Sequence, residues 1–311
     1  MKYIKLNNKI ILSKFGIGTY QNYGQKLDFQ SSKEILIKLY EKGINLINSS
    51  INYQNGNTEK VIGKILKKLK LRDKFFIQSK IFFSIKKNIN SGLNKKNFEF
   101  SLNEILKNYK TDFIDCILCH RYDPLVHPDE LIELFENEIR NGKINYWGIT
   151  NWPYSKILEI KKKTNLKNRF VFNEQPLNFF YKNNIDLFKK TQKNFYNICY
   201  GVLSKGLITN NFFIKKNLKK LNQNVNFTNY NINLLKKIYI ICNNNDISLE
   251  EFCYSFLIHQ KFLDIILLGV SSSKYLKNLN FNKIFNRHIF NTCLTKLFKD
   301  EKIENFLQDW K

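Results

Sequence analysis

Apolar positions along this chain follow two alternating periods. Short runs at residues 15–19, 46–48, 75–77, 113–118, 144–149, 170–172, 195–200 and 264–268 are rich in β-branched and aromatic side chains and carry few charges. Such runs fit strands buried on both faces. Between them lie segments at 32–42, 58–69, 96–108, 128–140, 153–163 and 184–193, where apolar residues recur every three or four positions. In the first of these Ile35, Leu36, Leu39 and Tyr40 form one stripe, and Gly43 follows as a stop. Pro128 and Pro153 suit first-turn positions, where a missing N–H costs nothing.

Eight strands with helices between them predict an α/β protein, a (β/α)8 TIM barrel, over residues 1–311 as one domain. A doubly wound sheet is the alternative, weakened because no G-x-G-x-x-G follows an early strand. Ahead of the first strand, residues 3–6 and 9–12 flank an Asn-Asn turn and predict a hairpin capping the barrel bottom. Residues 210–230, after the seventh strand, are long enough for a functional loop, and a C-terminal helix is expected near 291–310.

Composition adds less than it first promises. The net charge is +25, yet 46 Lys stand against 5 Arg, 44 residues are Asn, and Ala is absent. Lys, Asn, Ile, Phe and Tyr share AT-rich codons, so base composition accounts for the charge. Nucleic-acid binders usually cluster charge and favour Arg, whose planar fork matches phosphate and guanine edges; nucleic acid is therefore not expected as a partner. No apolar run approaches the ~18 residues of a membrane span, and the start lacks a signal-peptide core, so a cytoplasmic protein without a membrane partner is expected. Cys116 and Cys119 lie three apart on one strand and face opposite sides. No metal site follows from them, and the six cysteines read as buried thiols.

Chemistry in a barrel gathers where strands end. Here the strand ends carry Asn48-Ser49-Ser50 running on to Tyr53, then Lys80, His120, Thr150-Asn151 and Asn173-Glu174-Gln175. Each is weak alone, but their placement on successive strand ends is a candidate constellation.

With these residues the chain resembles the aldo-keto reductases, in particular the branch with potassium-channel β subunits and many bacterial reductases. The resemblance runs from Phe15-Gly16-Ile17-Gly18-Thr19 to Leu268-Gly269-Val270-Ser271. It is strongest from Gly43 to Tyr53 and continues through Gly56, Glu59 and Gly63. It implies reversible hydride transfer between a nicotinamide nucleotide and a small aldehyde or ketone, sugar-derived carbonyls being one class, with Tyr53 as proton donor. It further implies that Lys80 lowers the Tyr53 pKa, that His120 orients the carbonyl oxygen, and that Thr150 and Asn151 hold the carboxamide. Tyr200 would face the nicotinamide. Gly18, Thr19, Leu203, Gly206, Gly269, Ser271 and Tyr275 fall on further cofactor positions. Lys274 favours NADP over NAD, the alternative, by neutralising a 2′-phosphate.

The sequence departs from the family in two places. The family's catalytic Asp is Asn48 here, which brings no negative charge to Lys80, and an Asp at that position is expected to raise turnover. The nicotinamide-binding Gln falls on Glu174 or, with a one-residue shift, on Gln175. Both features favour a second reading, a weakened or inactive nicotinamide-nucleotide-binding module with a regulatory role.

Overall fold

The computed structural model describes residues 1–6, 9–164, 169–210 and 229–298. A hairpin comes first: β1 (Tyr3–Lys5) pairs antiparallel with β2 (Ile11–Ser13), Tyr3 opposite Ser13. Its Asn7-Asn8 turn lies outside the described residues. Eight parallel strands follow: β3 (Phe15–Gly18), β4 (Leu46–Asn48), β5 (Phe76–Ile81), β6 (Ile114–Cys119), β7 (Ile144–Thr150), β8 (Phe170–Pro176), β9 (Tyr196–Tyr200) and β10 (Ile265–Gly269). They close in chain order, with β10 bonded to both β9 and β3. The predicted TIM barrel with its hairpin is the observed architecture.

The two-residue period of a strand sorts side chains between the interior and the helical layer. Leu46, Phe76, Cys116, Leu118, Phe172, Ile198, Ile265 and Leu267 fill the lower barrel, and Leu12 of the hairpin joins them from below. Tyr196 Oη donates to the Lys5 carbonyl at 2.8 Å, which ties the hairpin across the barrel bottom. Cys119 belongs to the outer core while Cys116 belongs to the inner one, so the two thiols face opposite sides, as their spacing requires. All six cysteines are buried and free.

The outer layer contains α1 (Phe29–Glu41), α2 (Asn57–Leu69), α3 (Lys95–Tyr109), α4 (Pro128–Arg140), α5 (Tyr154–Lys163), α6 (Ile185–Thr191), α7 (Asn229–Asn243) and α8 (Leu249–Ile258). Asp28 caps α1 by accepting from Ser31 N, and Ser248 with Glu251 makes a reciprocal capping box on α8. Pro128 opens α4 as expected, but Pro153 is the cap residue of α5 and lies just outside the helix. Trp147 stacks between Phe135 of α4 and Phe170 of β8, with centroids 4.3 and 4.2 Å away. Three helices end the described chain: α9 (Ser273–Asn278), α10 (Phe281–Phe285) and α11 (Arg287–Phe298). The terminal helix thus begins earlier than the apolar pattern suggested, and residues 299–311 lie outside the described residues, as do residues 211–228 of the predicted loop. No helix among the described residues is long and apolar enough to cross a membrane.

Two elements of the signature around Tyr53 are structural. Gly63 lets α2 lie against the backbone of Asn108 and Tyr109 on α3. Glu59, fully buried, accepts from Ser79 Oγ at 2.5 Å and from Asn108 Nδ2 at 3.3 Å, locking α2 to β5 and α3. Burial pushes its pKa up from 4.5 to about 7. The folded protein therefore holds a proton that the unfolded chain releases, and this group's contribution to stability falls between pH 4.5 and 7. The loss is about 3 kcal/mol and is complete above that window. Glu59→Gln should flatten this part of the stability profile, because Asn108 can turn its amide and present Oδ1, which has no partner among the described residues. Urea midpoints between pH 5 and 8 measure it; an unchanged pH slope would contradict the assignment.

A second prediction concerns the inward-facing Gly148, where the pairing of β7 with β8 shifts register. A Cβ there would collide with the Phe172 carbonyl and approach Phe172 Cβ at 2.7 Å. Gly148→Ala should cost about 1–3 kcal/mol as overpacking, read as a lowered urea midpoint.

Candidate active site

Above the apolar floor, the inward side chains turn polar. β4 contributes Asn48, β5 contributes Gln78 and Lys80, and β8 contributes Glu174, all at most 3% exposed. The strand register explains their level: Asn48 pairs with Gln78, and Thr150 with Glu174. Lys80 is 1% exposed. An ammonium has three protons to place, and three acceptors surround this one. Asn48 Oδ1 lies at 2.5 Å, the Ser49 carbonyl at 3.1 Å and Glu174 Oε1 at 3.3 Å. Asn48 in turn donates through Nδ2 to Glu174 Oε2 at 2.6 Å and to Gln78 Oε1 at 3.2 Å. Burial pushes the Lys80 pKa down, and the Glu174 carboxylate opposes that shift.

The aromatic part of the site stands over this cluster. Lys80 Nζ lies 5.7 Å from the centroid of the Tyr53 ring, and the Tyr53 and His120 rings are 6.1 Å apart. Tyr53 opens a short 3-10 turn (Tyr53–Gly56) immediately before α2. Tyr20 packs against Tyr53 at 5.0 Å and Phe83 against His120 at 5.3 Å. Sequence reasoning expected Lys80 to lower the Tyr53 pKa. The direction is upward instead, because burial strips the phenolate of water and Glu174 adds a nearby negative charge. His120 is pushed down to about 3 by burial and by the cations Lys80 and Arg121, so its imidazole is neutral. Its Nδ1 lies 3.1 Å from Ser50 Oγ.

Beside this group, Asn151 adopts a left-handed backbone (φ 62°) directly after β7. Its Nδ2 donates to Thr150 Oγ1 at 3.1 Å, and its Oδ1 accepts from Tyr200 Oη at 2.7 Å. Tyr200, Asn151 and Thr150 are therefore one cluster. Glu174, not Gln175, meets the Lys80 group; Gln175 Nε2 donates to the Trp152 carbonyl and to Asn173 Oδ1. Thr19 spends its hydroxyl on the Asn48 carbonyl at 3.1 Å, adjoining Gly18 at the end of β3.

The expected adenosine end is brought together less well. Gly269 closes β10, and Ser271 precedes the Ser272 cap of α9, a helix of only six residues. Tyr275 turns inward and donates to Tyr254 Oη at 3.3 Å. Lys274 is exposed. Leu203 and Gly206 flank a turn in which Ser204, Lys205 and Gly206 all have positive φ.

A nicotinamide nucleotide needs hydrogen-bonding groups for its carboxamide, an apolar face for its ring and donors for its phosphates. Thr150 and Asn151 with the Tyr200 ring meet the first two needs, and the amide-rich turn at residues 203–206 with Lys205 suits the third. The residues fit the group. Gln78 and Tyr20 were missed from the sequence. Of these only Gln78 carried a signal, two residues before Lys80 and hence on the same face of its strand.

The aldo/keto reductase family profile matches residues 14–286. A potassium channel beta subunit-like protein of Schizosaccharomyces pombe is 34% identical over 145 residues, which is 45% of this chain and 42% of that relative. The chain thus matches less than half of that relative's length. Among solved structures, the holo form of aldo-keto reductase AKR11C1 from Bacillus halodurans superposes with a TM-score of 0.75 at 19% identity, covering 95% of this chain and 96% of that one. The barrel, the polar group at its strand ends and a family match spanning most of the sequence lead to one conclusion: this chain belongs to the aldo/keto reductase family.

Proposed function

We propose that this protein is an NADP(H)-dependent reductase of small aldehydes or ketones, with Tyr53 as the proton donor. The observation that carries the reading is the convergence of Tyr53 and His120 above the fully partnered, buried ammonium of Lys80. The family generally uses NADP(H), and the bound nucleotide would supply the hydride. Thr150, Asn151 and Tyr200 would hold its nicotinamide end. Leu203 and Gly206 would pass its phosphates, with Lys274 near the adenosine end.

The chain's own residues handle the proton. Burial keeps the Tyr53 phenol protonated, which is the state a donor needs, and a developing alkoxide is basic enough to take that proton. Neutral His120 carries one N–H, and it is free for the carbonyl oxygen in the tautomer whose Nδ1 accepts from Ser50 Oγ, which requires the Ser50 proton to turn from Asn52 Oδ1 to the imidazole. Phe82 and Phe83, with the Tyr122–Trp152 edge pair at 5.1 Å, offer apolar walls for the substrate. The competing reading, a nucleotide-binding module without catalysis, drew on Asn48 and Glu174. The pair these residues make around Lys80 favours the enzyme over the module, because the buried cation keeps a carboxylate partner.

NADPH titration followed by its absorbance with a panel of aldehydes tests the reading. Binding with oxidation is expected. Binding without oxidation would favour the module, and no binding would overturn both. Tyr53→Phe should lower kcat by about 100-fold or more while NADPH still binds. Because His120 titrates near 3, kcat/KM should show no limb between pH 5.5 and 7.5 that His120→Gln abolishes.

A further inference from the structure

The family pattern places no carboxylate where Glu174 stands. The buried Lys80 ammonium needs a counter-charge in contact with it; β4 offers the neutral Asn48, and Glu59, bonded to Ser79 of β5, acts on it only through its field. Glu174 reaches it from β8, with 126 residues separating Asn48 from Glu174 in the chain. Asn48 is oriented at both ends, since its carbonyl oxygen faces the ammonium and its Nδ2 faces the carboxylate. An amide does both without titrating, whereas an ionised carboxylate has no donor for Glu174. A carboxylate at position 48 would set two anions at the 2.6 Å separation now spanned by an N–H donor, and one would have to take up a proton. An amide at both positions would leave a buried cation without a charge partner.

We propose that Glu174 is the positioning residue for Lys80 and that positions 48 and 174 form an exchangeable pair, one carboxylate and one amide, workable in either order. Against the pattern the chain resembles, the carboxylate stands on β8 instead of β4 and the amide on β4 instead of β8, so Lys80 meets the same net charge from the other wall. The activity arm of this idea rests on the reductase reading; the exchange itself does not. The same pairing reverses the expectation that Asp at position 48 would help: Asn48→Asp alone adds a second carboxyl group, and one of the two must then hold a proton.

The test is a four-member cycle of the full chain: wild type, Asn48→Asp, Glu174→Gln and the double variant. With NADPH and 4-nitrobenzaldehyde, each single variant should lose about ten-fold or more in kcat, and the double should return to within about three-fold of wild type. A second readout needs no turnover. In Glu174→Gln the unpaired Lys80 sheds its proton on folding, so the thermal midpoint should rise between pH 7 and 9 relative to wild type; the double variant should lose that rise. A double variant as impaired as Glu174→Gln, with the same pH slope, would overturn the proposal, as would a Glu174→Gln variant indistinguishable from wild type in both readouts. If Glu174→Gln does not fold, folding of the double variant supports the exchange, and its failure while Asn48→Asp folds counts against it. A wild type that binds NADPH yet reduces no aldehyde would defeat the reductase reading and leave the thermal cycle to decide the exchange.

Discussion

Taking an ammonium almost wholly out of water is among the most expensive things a barrel interior can do, and the top of this barrel is arranged around having done so. Lys80 recovers its lost hydration from three acceptors contributed by two strands and the residue after β4. Removing one member of such a buried pair typically costs about 3–5 kcal/mol, because the remaining charge is then stranded. That cost explains why the surrounding residues are held so firmly. Asn48 has a partner at each end, and the Ser49 carbonyl is fixed by the continuation of β4. The aromatic residues above pack over a group that cannot shift without breaking several hydrogen bonds.

The barrel makes this possible through register. Inward positions on neighbouring strands fall into levels, so a residue two positions further along a strand moves up one level. Leu46 and Phe76 share the apolar floor, and Asn48 and Gln78 share the level above. On β8 the same step leads from Phe172 to Glu174. The change from packing to chemistry is thus one step along each strand. Outside the barrel wall, Glu59 repeats the theme on a smaller scale, accepting from β5 and α3 where Gly63 allows the two helices to approach.

Much of this was legible in the sequence, and what was not has a physical reason. The eight strands followed from runs too short and too apolar for helices, and β4 and α4 have the bounds that the pattern suggested. The strand-end positions of Lys80 and His120 followed from the same runs. Contacts across the barrel did not, because periodicity gives the face of a side chain without naming what it meets on the far wall. Glu174 looked like a defect for that reason: read alone, it replaced an amide, and Asn48 read alone had lost a charge. The inward direction of Tyr275 was out of reach for a related reason, since a short helix leaves the direction of a single aromatic side chain to tertiary packing. Pro153 shows how fine the boundary is between capping a helix and opening it.

The composition bears on how such an exchange could arise. A chain with 46 Lys and 44 Asn carries an Asn at many positions where another polar residue would serve, and at an exposed site an Asp-to-Asn change has little consequence. In a buried site the same change has a fixed electrostatic cost, so it persists only where the lost charge is replaced. The geometry around Lys80 has room for one carboxylate on either wall, and the ammonium responds to the charge at its boundary more than to the strand that provides it. The proposed coupling between positions 48 and 174 would then be a property of the cavity. It makes the identity of either residue uninterpretable without the other, however closely one of them matches a family pattern.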